Sequence, residues 1–264
     1  MGVPHHEGPA DVSLRPGHGS VARAYYCRTH SLDADHVDAA LHVLSADERR
    51  RCGWIFRDTD RRDYVAAHAL LRAALALHTG VEPDHLALDK DAAGRPSLVP
   101  PDPEGDAPTF SLSHTPGLVA CVIASDRDAV GIDVETIDPS VDVRQLAGHV
   151  CSADELADLR NCAVAARPTR FFQLWTLKEA LLKAQGVGLQ GMTRLVSFRV
   201  EGMHVRASLP ATADHRCWSF LQTPIGATHV LAIATARPAT PMSVRVIGVD
   251  PVAAMSGALV PLES

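Results

Sequence analysis

Hydrophobic and polar residues recur along the chain with periods that predict a mixture of strands and helices. An Ala- and Leu-rich stretch, Tyr64–His78, is followed by Gly80 and predicts a helix. A second long helix is predicted from Pro168 to Gly186, because proline favours the first turn of a helix and glycine favours its end. Strands are predicted where β-rich segments lie between turn residues, at Val21–Cys27, Thr109–Ser113, Leu118–Ala124, Val130–Glu135, Leu195–Val200, Val205–Leu209, Trp218–Leu221 and Val230–Thr235. This content predicts an α+β fold.

The chain also repeats itself. The tetrapeptide Ser-Ala-Asp-Glu occurs at 45–48 and 152–155, and Ser-x-x-x-Thr-Pro occurs at 111–116 and 219–224. The two long helices fall at nearly the same offset. We therefore predict two similar subdomains related by pseudo-twofold symmetry, each a small antiparallel sheet with one long helix. The expected boundaries are a flexible tail at 1–20, a first subdomain at 21–127 and a second at 128–264, with the active site at their interface.

Composition narrows the class of protein. The chain is 46% hydrophobic and 21% charged with a formal charge of −6, which is typical of a soluble globular protein and argues against nucleic acid as the main partner. The longest apolar run, Leu118–Ala124, is too short to span a membrane. Without a charged-then-apolar leader, we expect a cytoplasmic protein. Six scattered cysteines without a Cys-x-x-Cys pair favour buried thiols over a zinc or redox site.

Two carboxylates share one face of a predicted strand. In Gly131-Ile-Asp-Val-Glu135, Ile132 and Val134 point one way, so Asp133 and Glu135 point the other way together. Two such carboxylates repel each other unless water or a cation separates them, and Mg²⁺ prefers oxygen ligands of this kind. A solvated strand face is the alternative.

The second long helix carries a stripe of functional side chains. Trp175, Glu179 and Lys183 are spaced by four residues and lie on one side of the helix. Glu179 offers a third oxygen ligand for a metal and Lys183 a partner for phosphate oxygens, whereas the alternative is a core tryptophan beside a surface ion pair. The following Gly186–Gly191 stretch matches G-x-G-x-x-G, but it comes after a helix and favours a helix end over a dinucleotide site.

Together these motifs resemble the surfactin-type 4′-phosphopantetheinyl transferases. Trp175-Thr-Leu-Lys-Glu-Ala-Leu-Leu-Lys-Ala-Gln-Gly-Val-Gly-Leu189 is similar to the family's signature, and Gly131-Ile-Asp-Val-Glu135 to its partner motif. Phe110-Ser-Leu-Ser-His-Thr115 resembles the upstream motif, with Ser111 where Asn is usual and Thr115 where Ser is usual, and Gly94-Arg-Pro96 resembles the remaining one. The resemblance implies transfer of phosphopantetheine from coenzyme A to a serine of an acyl or peptidyl carrier protein, with release of adenosine 3′,5′-bisphosphate.

The resemblance also implies roles for individual residues. The Mg²⁺ site, which Mn²⁺ could also fill, would comprise Asp133, Glu135 and Glu179. Catalysis would depend on Glu179, Lys183 and His114, and either Glu179 or a metal-bound water would take the serine proton. Coenzyme A, the co-substrate, would be bound by Arg51, Arg95, Ser113, His114, Lys178 and Lys183. Glu48 stands where some members have lysine. The enzyme is expected to be a monomer that binds carrier proteins transiently and binds neither nucleic acid nor membrane.

Two other functions remain open from the sequence. One is a carrier-binding module that has lost activity, although the intact acidic trio argues against it. The other is a different Mg²⁺-dependent nucleotide transferase, for which no G-x-x-x-x-G-K loop is present. A shift of 107 residues places Tyr26, Arg28 and Arg72 opposite Asp133, Glu135 and Glu179, which predicts one metal site per chain.

Overall fold

The computed structural model describes residues 21–90, 95–100, 107–124, 128–186, 193–210, 216–237 and 242–262. The predicted tail at 1–20 and most of the glycine-rich stretch, residues 187–191, lie outside these ranges. In the described part of the chain no helix is both long and apolar enough to cross a membrane.

Strands and helices follow one another in an order that repeats. The strands are β1 (Val21–Arg28), β2 (Leu88–Lys90), β3 (Pro96–Leu98), β4 (Thr109–Thr115), β5 (Leu118–Ala124), β6 (Ala129–Thr136), β7 (Ser197–Glu201), β8 (His204–Ser208), β9 (Cys217–Ile225), β10 (His229–Arg237) and β11 (Ser243–Gly248). The helices are α1 (Ala34–Ala40), α2 (Ala46–Cys52), α3 (Asp58–Thr79), α4 (Val143–Val150), α5 (Ala153–Asn161), α6 (Arg167–Gln185) and α7 (Pro251–Met255). One strand, three helices and four strands occur first as β1 to β5 and then as β6 to β10, so the predicted duplication is present in the order of the elements.

Two sheets form the centre of the molecule. The first has the strand order β11-β1-β5-β4 and the second the order β6-β10-β9. Side chains of both sheets, including Leu118, Ile132 and Leu231, share one buried cluster, while α3 and α6 each cover their own sheet within a separate cluster.

The last strand departs from the predicted boundaries. β11 pairs with β1 in parallel, so the chain returns to the first sheet after completing the second. The predicted second subdomain, 128–264, therefore does not describe residues from 243 onward, and the first sheet is mixed rather than purely antiparallel. The Thr-Pro pair of the second Ser-x-x-x-Thr-Pro motif does not form a turn, because Thr223 and Pro224 lie inside β9 and pair with β10.

Side-chain hydroxyls join the two sheets. β4 and β6 are edge strands, and backbone N–H groups of β6 donate to hydroxyl oxygens on alternate residues of β4. The bonds run from Ile132 N to Ser111 Oγ (3.2 Å), from Val134 N to Ser113 Oγ (3.3 Å) and from Thr136 N to Thr115 Oγ1 (3.2 Å). Edge N–H groups that would otherwise lack partners are thereby satisfied, and β4 and β6 are held side by side.

Each copy of the Ser-Ala-Asp-Glu motif begins a helix and ends in a buried ion pair. Ser45 and Glu48 form a capping box at α2, and Ser152 and Glu155 form the same box at α5. Both glutamates also reach a cation on the long helix of their own copy: Glu48 accepts from Arg72 Nε at 2.7 Å, and Glu155 from Lys178 Nζ at 2.8 Å.

These matched pairs change one predicted correspondence. Arg72 is the counterpart of Lys178, not of Glu179 as the shift of 107 suggested, because the long helices are offset by one residue less than the capping boxes. Glu48 is buried within its own subdomain and supports the fold through its pair with Arg72.

Candidate active site

Helix α6 lies unusually close to strand β6. A Cβ atom on Gly131 would overlap the carbonyl oxygen of Ala180 and the backbone nitrogen of Ala184. Only glycine permits this approach, and the two small alanines on the helix add to it. The close packing brings the polar stripe of α6 over the carboxylates that follow Gly131 on β6.

Asp133 is at the centre of the site. It is 4% exposed, and its Oδ1 accepts from Lys183 Nζ at 2.7 Å and from Ser113 Oγ at 2.8 Å. The three residues belong to β6, α6 and β4, so the site forms where both subdomains meet. The predicted interface location is consistent with this geometry.

The predicted faces of β6 and α6 meet as expected. Trp175 Nε1 donates to Glu135 Oε1 at 2.8 Å, two helical turns before the bond from Lys183 to Asp133. Asp133 and Glu135 thus share a face that contacts the Trp175–Glu179–Lys183 stripe. Trp175, for which a pure core role was the alternative, orients a carboxylate through its indole N–H.

The three carboxylates lie in one another's electric field. Burial and the charges of Asp133 and Glu179 raise the pKa of Glu135 to about 7, against the opposing effects of Trp175 and Lys183. Burial raises the pKa of Asp133 despite the stabilising effects of Lys183 and Ser113. Burial and the charge of Asp133 also raise the pKa of Glu179. Burial is the largest cause of each shift, so all three carboxylates carry a desolvation cost that a bound cation would offset.

The donor atoms fit a hard divalent cation. Asp133 Oδ2 and Glu179 Oε1 are buried and accept no hydrogen bond from any described residue. Such oxygens are costly unless a cation or donor reaches them, and carboxylate oxygens are the ligands that Mg²⁺ prefers. Among the described residues no three His, Cys, Asp or Glu side chains already converge on one point, and Asp133 and Glu135 are instead bonded to Lys183 and Trp175.

His114 lies near this centre on β4. The residue is exposed, yet desolvation by the surrounding protein lowers its pKa, and the charges of His68 and Lys183 act in the same direction. Asp63 and Asp60 oppose that effect. These mutual effects place His114 in the electric field of Lys183, as a shared phosphate site requires.

Arg95 and Lys183 line one cleft of about 370 Å³. Its walls also include Phe110, Val130 and Arg216, which come from both subdomains. The guanidinium of Arg95 lies against Gly186, where a Cβ atom would overlap it, at the end of α6. Arg51 is exposed at the last turn of α2 and is not among the residues that line this cleft.

The structure buries two of the residues predicted to contact coenzyme A. Lys178 is 1% exposed, and its ammonium donates to Glu155 and to the carbonyl of Val196 at 2.6 Å, so it belongs to the core. Ser113 is also buried; its hydroxyl donates to Asp133 and accepts from the Val134 N–H, which makes it a support for the carboxylate. Neither side chain is available to a ligand in this arrangement.

Several residues at or near the site were not identified from the sequence. Arg216 stands in the cleft and lies over the Trp218 ring, 5.7 Å from its centroid. Asp63, Thr29 and His229 hold the turn after β4. Non-local pairing brings these side chains to the site, and no local spacing in the sequence indicates them.

Comparisons with known proteins agree with this geometry. Residues 129–234, which run from β6 into β10, match the model of the 4′-phosphopantetheinyl transferase superfamily. The 4′-phosphopantetheinyl transferase HetI of Nostoc sp. is 31% identical over 74% of this chain and 79% of its own. The L-aminoadipate-semialdehyde dehydrogenase-phosphopantetheinyl transferase of Eremothecium gossypii is 33% identical over 79% of this chain and 76% of its own. The 4′-phosphopantetheinyl transferase Sfp of Bacillus subtilis is 22% identical over 83% and 94%, respectively.

The matched region carries the β6 carboxylates and the α6 stripe, and the relatives extend the similarity over most of both chains. The chain therefore belongs to the 4′-phosphopantetheinyl transferase superfamily, enzymes that transfer the phosphopantetheine group from coenzyme A to carrier proteins.

Proposed function

We propose that this enzyme modifies a serine hydroxyl of apo acyl or peptidyl carrier proteins, releases adenosine 3′,5′-bisphosphate and requires Mg²⁺, with Mn²⁺ as a substitute. The observation that carries the proposal is the Asp133–Lys183 pair at the subdomain interface, beside two buried carboxylate oxygens that accept no hydrogen bond from the part of the chain that the structure describes. A phosphoryl transfer needs this combination of cation-binding oxygens and a mobile ammonium.

Asp133 and Glu179 would hold the metal, with Glu135 as the third carboxylate. When bound, Mg²⁺ supplies charge neutralisation to the pyrophosphate oxygens of coenzyme A. The Lys183 ammonium would also contact these oxygens, because its side chain is 30% exposed. Because Lys183 would contact both Asp133 and the pyrophosphate, it would link the acidic centre to substrate binding.

Residues of this site would support each step of the phosphopantetheine transfer. The serine oxygen forms a bond to the phosphorus that bears pantetheine, and the bond from that phosphorus to the oxygen of adenosine 3′,5′-bisphosphate breaks. The serine proton passes to Glu179 or to a water that it holds. Lys183 offsets the negative charge that grows on the leaving group. His114 would contact the same pyrophosphate and help to hold coenzyme A in place.

Arg95 would hold the end of coenzyme A that does not react. Its place in the same cleft as Lys183 supports this role, and so does the apolar wall formed by Phe110 and Val130, which suits a nucleoside. Arg51 is proposed as a second contact to the 3′-phosphate. The carrier protein binds transiently, and the enzyme acts as a monomer.

An assay that combines the purified enzyme, an apo-carrier protein and coenzyme A tests this proposal. Mass spectrometry should show the phosphopantetheine increment on the carrier with Mg²⁺ present and no increment after chelation. Lys183→Ala should abolish most of the transfer, whereas Lys90→Ala, which changes an exposed lysine on β2, should not. Equal transfer by Lys183→Ala and Lys90→Ala, or full transfer in excess chelator, would contradict it.

A further inference from the structure

The turn between β4 and β5 is held by both subdomains. Gly117 donates its N–H to Asp63 Oδ2 at 3.1 Å, and its carbonyl accepts from the N–H of Thr29 at 3.0 Å. From the second subdomain, His229 Nε2 lies 3.0 Å from the carbonyl oxygen of Pro116. The turn is therefore tied to α3, to the end of β1 and to β10 at once. We refer to Thr29, Asp63 and His229 as the turn clamp.

Asp63 is the only acidic member of the turn clamp. It is 3% exposed on α3, and its Oδ1 accepts from Arg62 Nε at 3.1 Å and from the hydroxyl of Thr29, which is fully buried. A carboxylate at this depth is tolerated only when its oxygens are well bonded. On the C-terminal side of Asp63 the same face of α3 carries the buried apolar residues Ala66, Ala67 and Leu70. Packing of the helix therefore does not require an acid here.

The turn clamp lies close to a proposed phosphate-binding side chain. His114 is in β4, two residues before Pro116, and it is surrounded by charged groups on two helices: Asp60, Asp63 and His68 on α3 and Lys183 on α6. The carboxylates favour its protonated form and the other two groups disfavour it. A small displacement of the turn would change its distance to Lys183.

We propose that Asp63 is a positioning residue for the transfer reaction: by bonding Gly117 and Thr29 it fixes the turn that places His114 beside Lys183. This inference rests on the proposed role of His114 at the pyrophosphate. Asp63 touches no substrate, and it acts through the backbone of the turn. A positioning error of about 1 Å is enough to weaken a preorganised site substantially.

Three variants separate this role from a general effect of charge or stability. Asp63→Ala removes the acceptor, Asp63→Asn removes the charge but keeps an oxygen that can face the Gly117 N–H, and Asp60→Ala removes a nearby charge that does not touch the turn. Thr29→Val, which preserves the side chain's shape, is a fourth variant in case Asp63→Ala fails to fold. All four are compared by KM for coenzyme A, kcat, thermal stability and amide exchange at Gly117.

Asp63→Ala should raise the KM for coenzyme A about tenfold, with a smaller effect on kcat and faster exchange at Gly117. Asp63→Asn should recover most of the affinity, although the pKa of His114 should fall because a negative charge is lost. Asp60→Ala should stay within about twofold of the wild type. Thr29→Val should shift the KM and the exchange in the same direction as Asp63→Ala.

Three results would overturn the proposal. Two of them come from kinetics, in addition to the exchange result at Gly117: wild-type KM in folded Asp63→Ala and Thr29→Val, or an equal loss in Asp60→Ala, which would show that charge alone matters. The role of His114 is tested separately by His114→Ala. If His114→Ala leaves the KM unchanged while Asp63→Ala raises it, the proposed function of His114 fails and the turn clamp acts on another residue. If Gly117 exchange is unaffected by Asp63→Ala, the positioning role itself fails.

Discussion

Lys178→Met tests whether the lysine beside Glu179 serves the fold or the substrate. The wild-type ammonium bonds Glu155 at 2.8 Å and the Val196 carbonyl at 2.6 Å, and both side chains of the pair are at most 2% exposed. Removing one partner of a buried ion pair costs about 3–5 kcal/mol, because the remaining charge lacks compensation. Glu155 keeps the N–H groups of Ser152 and Phe198 at 2.7 and 2.8 Å, so we expect a loss near the lower limit, about 3 kcal/mol.

Urea unfolding followed by circular dichroism measures this loss, and coenzyme A kinetics are recorded below the transition. Lys178→Met should lower the unfolding midpoint with an unchanged KM. Lys183→Met, five residues along the same helix and 30% exposed, is the matched control; it should lower kcat, with a much smaller effect on the unfolding midpoint. The double variant Glu155→Gln/Lys178→Met should be less destabilised than the sum of its single variants, by about 1–3 kcal/mol. A wild-type midpoint together with a raised KM in Lys178→Met would refute the structural role.

Three further predictions follow from other parts of the site and fold. Lys183→Ala should mainly lower kcat, because it acts on charge that develops during transfer, whereas Arg95→Ala should mainly raise the KM for coenzyme A; steady-state kinetics with the opposite split would reverse the two roles. Burial alone would raise the pKa of Glu48, but bonds from His68, Ser45 and Arg72 outweigh it and lower the pKa from 4.5 to about 2. The stabilisation from Glu48 should therefore be complete above about pH 4.5 and fade toward pH 2, and acid unfolding of Glu48→Gln should lack this slope. Calorimetry with coenzyme A and Mg²⁺ should give one site per chain, since Tyr26 and Arg28 occupy the positions in β1 that correspond to Asp133 and Glu135; a stoichiometry of two would be incompatible with this asymmetry.

The core of the site could be predicted because it depends on local periodicity. Alternation along β6 places Asp133 and Glu135 on one face, and the four-residue spacing on α6 places Trp175, Glu179 and Lys183 on one stripe. The structure joins these faces through two direct hydrogen bonds. The close approach of α6 to β6 explains why the β6 motif begins with a glycine, Gly131.

Lys178 shows how the same periodicity corrects a family resemblance. Residues five apart on a helix are separated by about 140° around its axis, so Lys178 and Lys183 cannot both face one small ligand site. Helical geometry alone therefore argues against the predicted coenzyme A contact. Lys178 pairs instead with Glu155 of the second capping box, just as Arg72 pairs with Glu48 of the first.

Non-local contacts could not be predicted from spacing. β11 returns to pair with β1, and the hydroxyls of β4 satisfy the edge of β6, although more than one hundred residues separate some of these partners from one another. Such pairings depend on the packed arrangement of both sheets. The role of Ser113 as a support for Asp133 became visible only from that arrangement.

The transfer rate of Asp133→Asn tests the central claim most directly. Asp133 on β6 accepts hydrogen bonds from Ser113 on β4 and Lys183 on α6. Asparagine keeps its size while removing the charge that pairs with Lys183 and that we propose binds the metal. With the fold verified by its unfolding transition, the variant should lose on the order of a hundredfold or more in phosphopantetheine transfer at saturating Mg²⁺ and coenzyme A. A folded Asp133→Asn enzyme with a near wild-type rate would contradict the assignment of this interface as the active site.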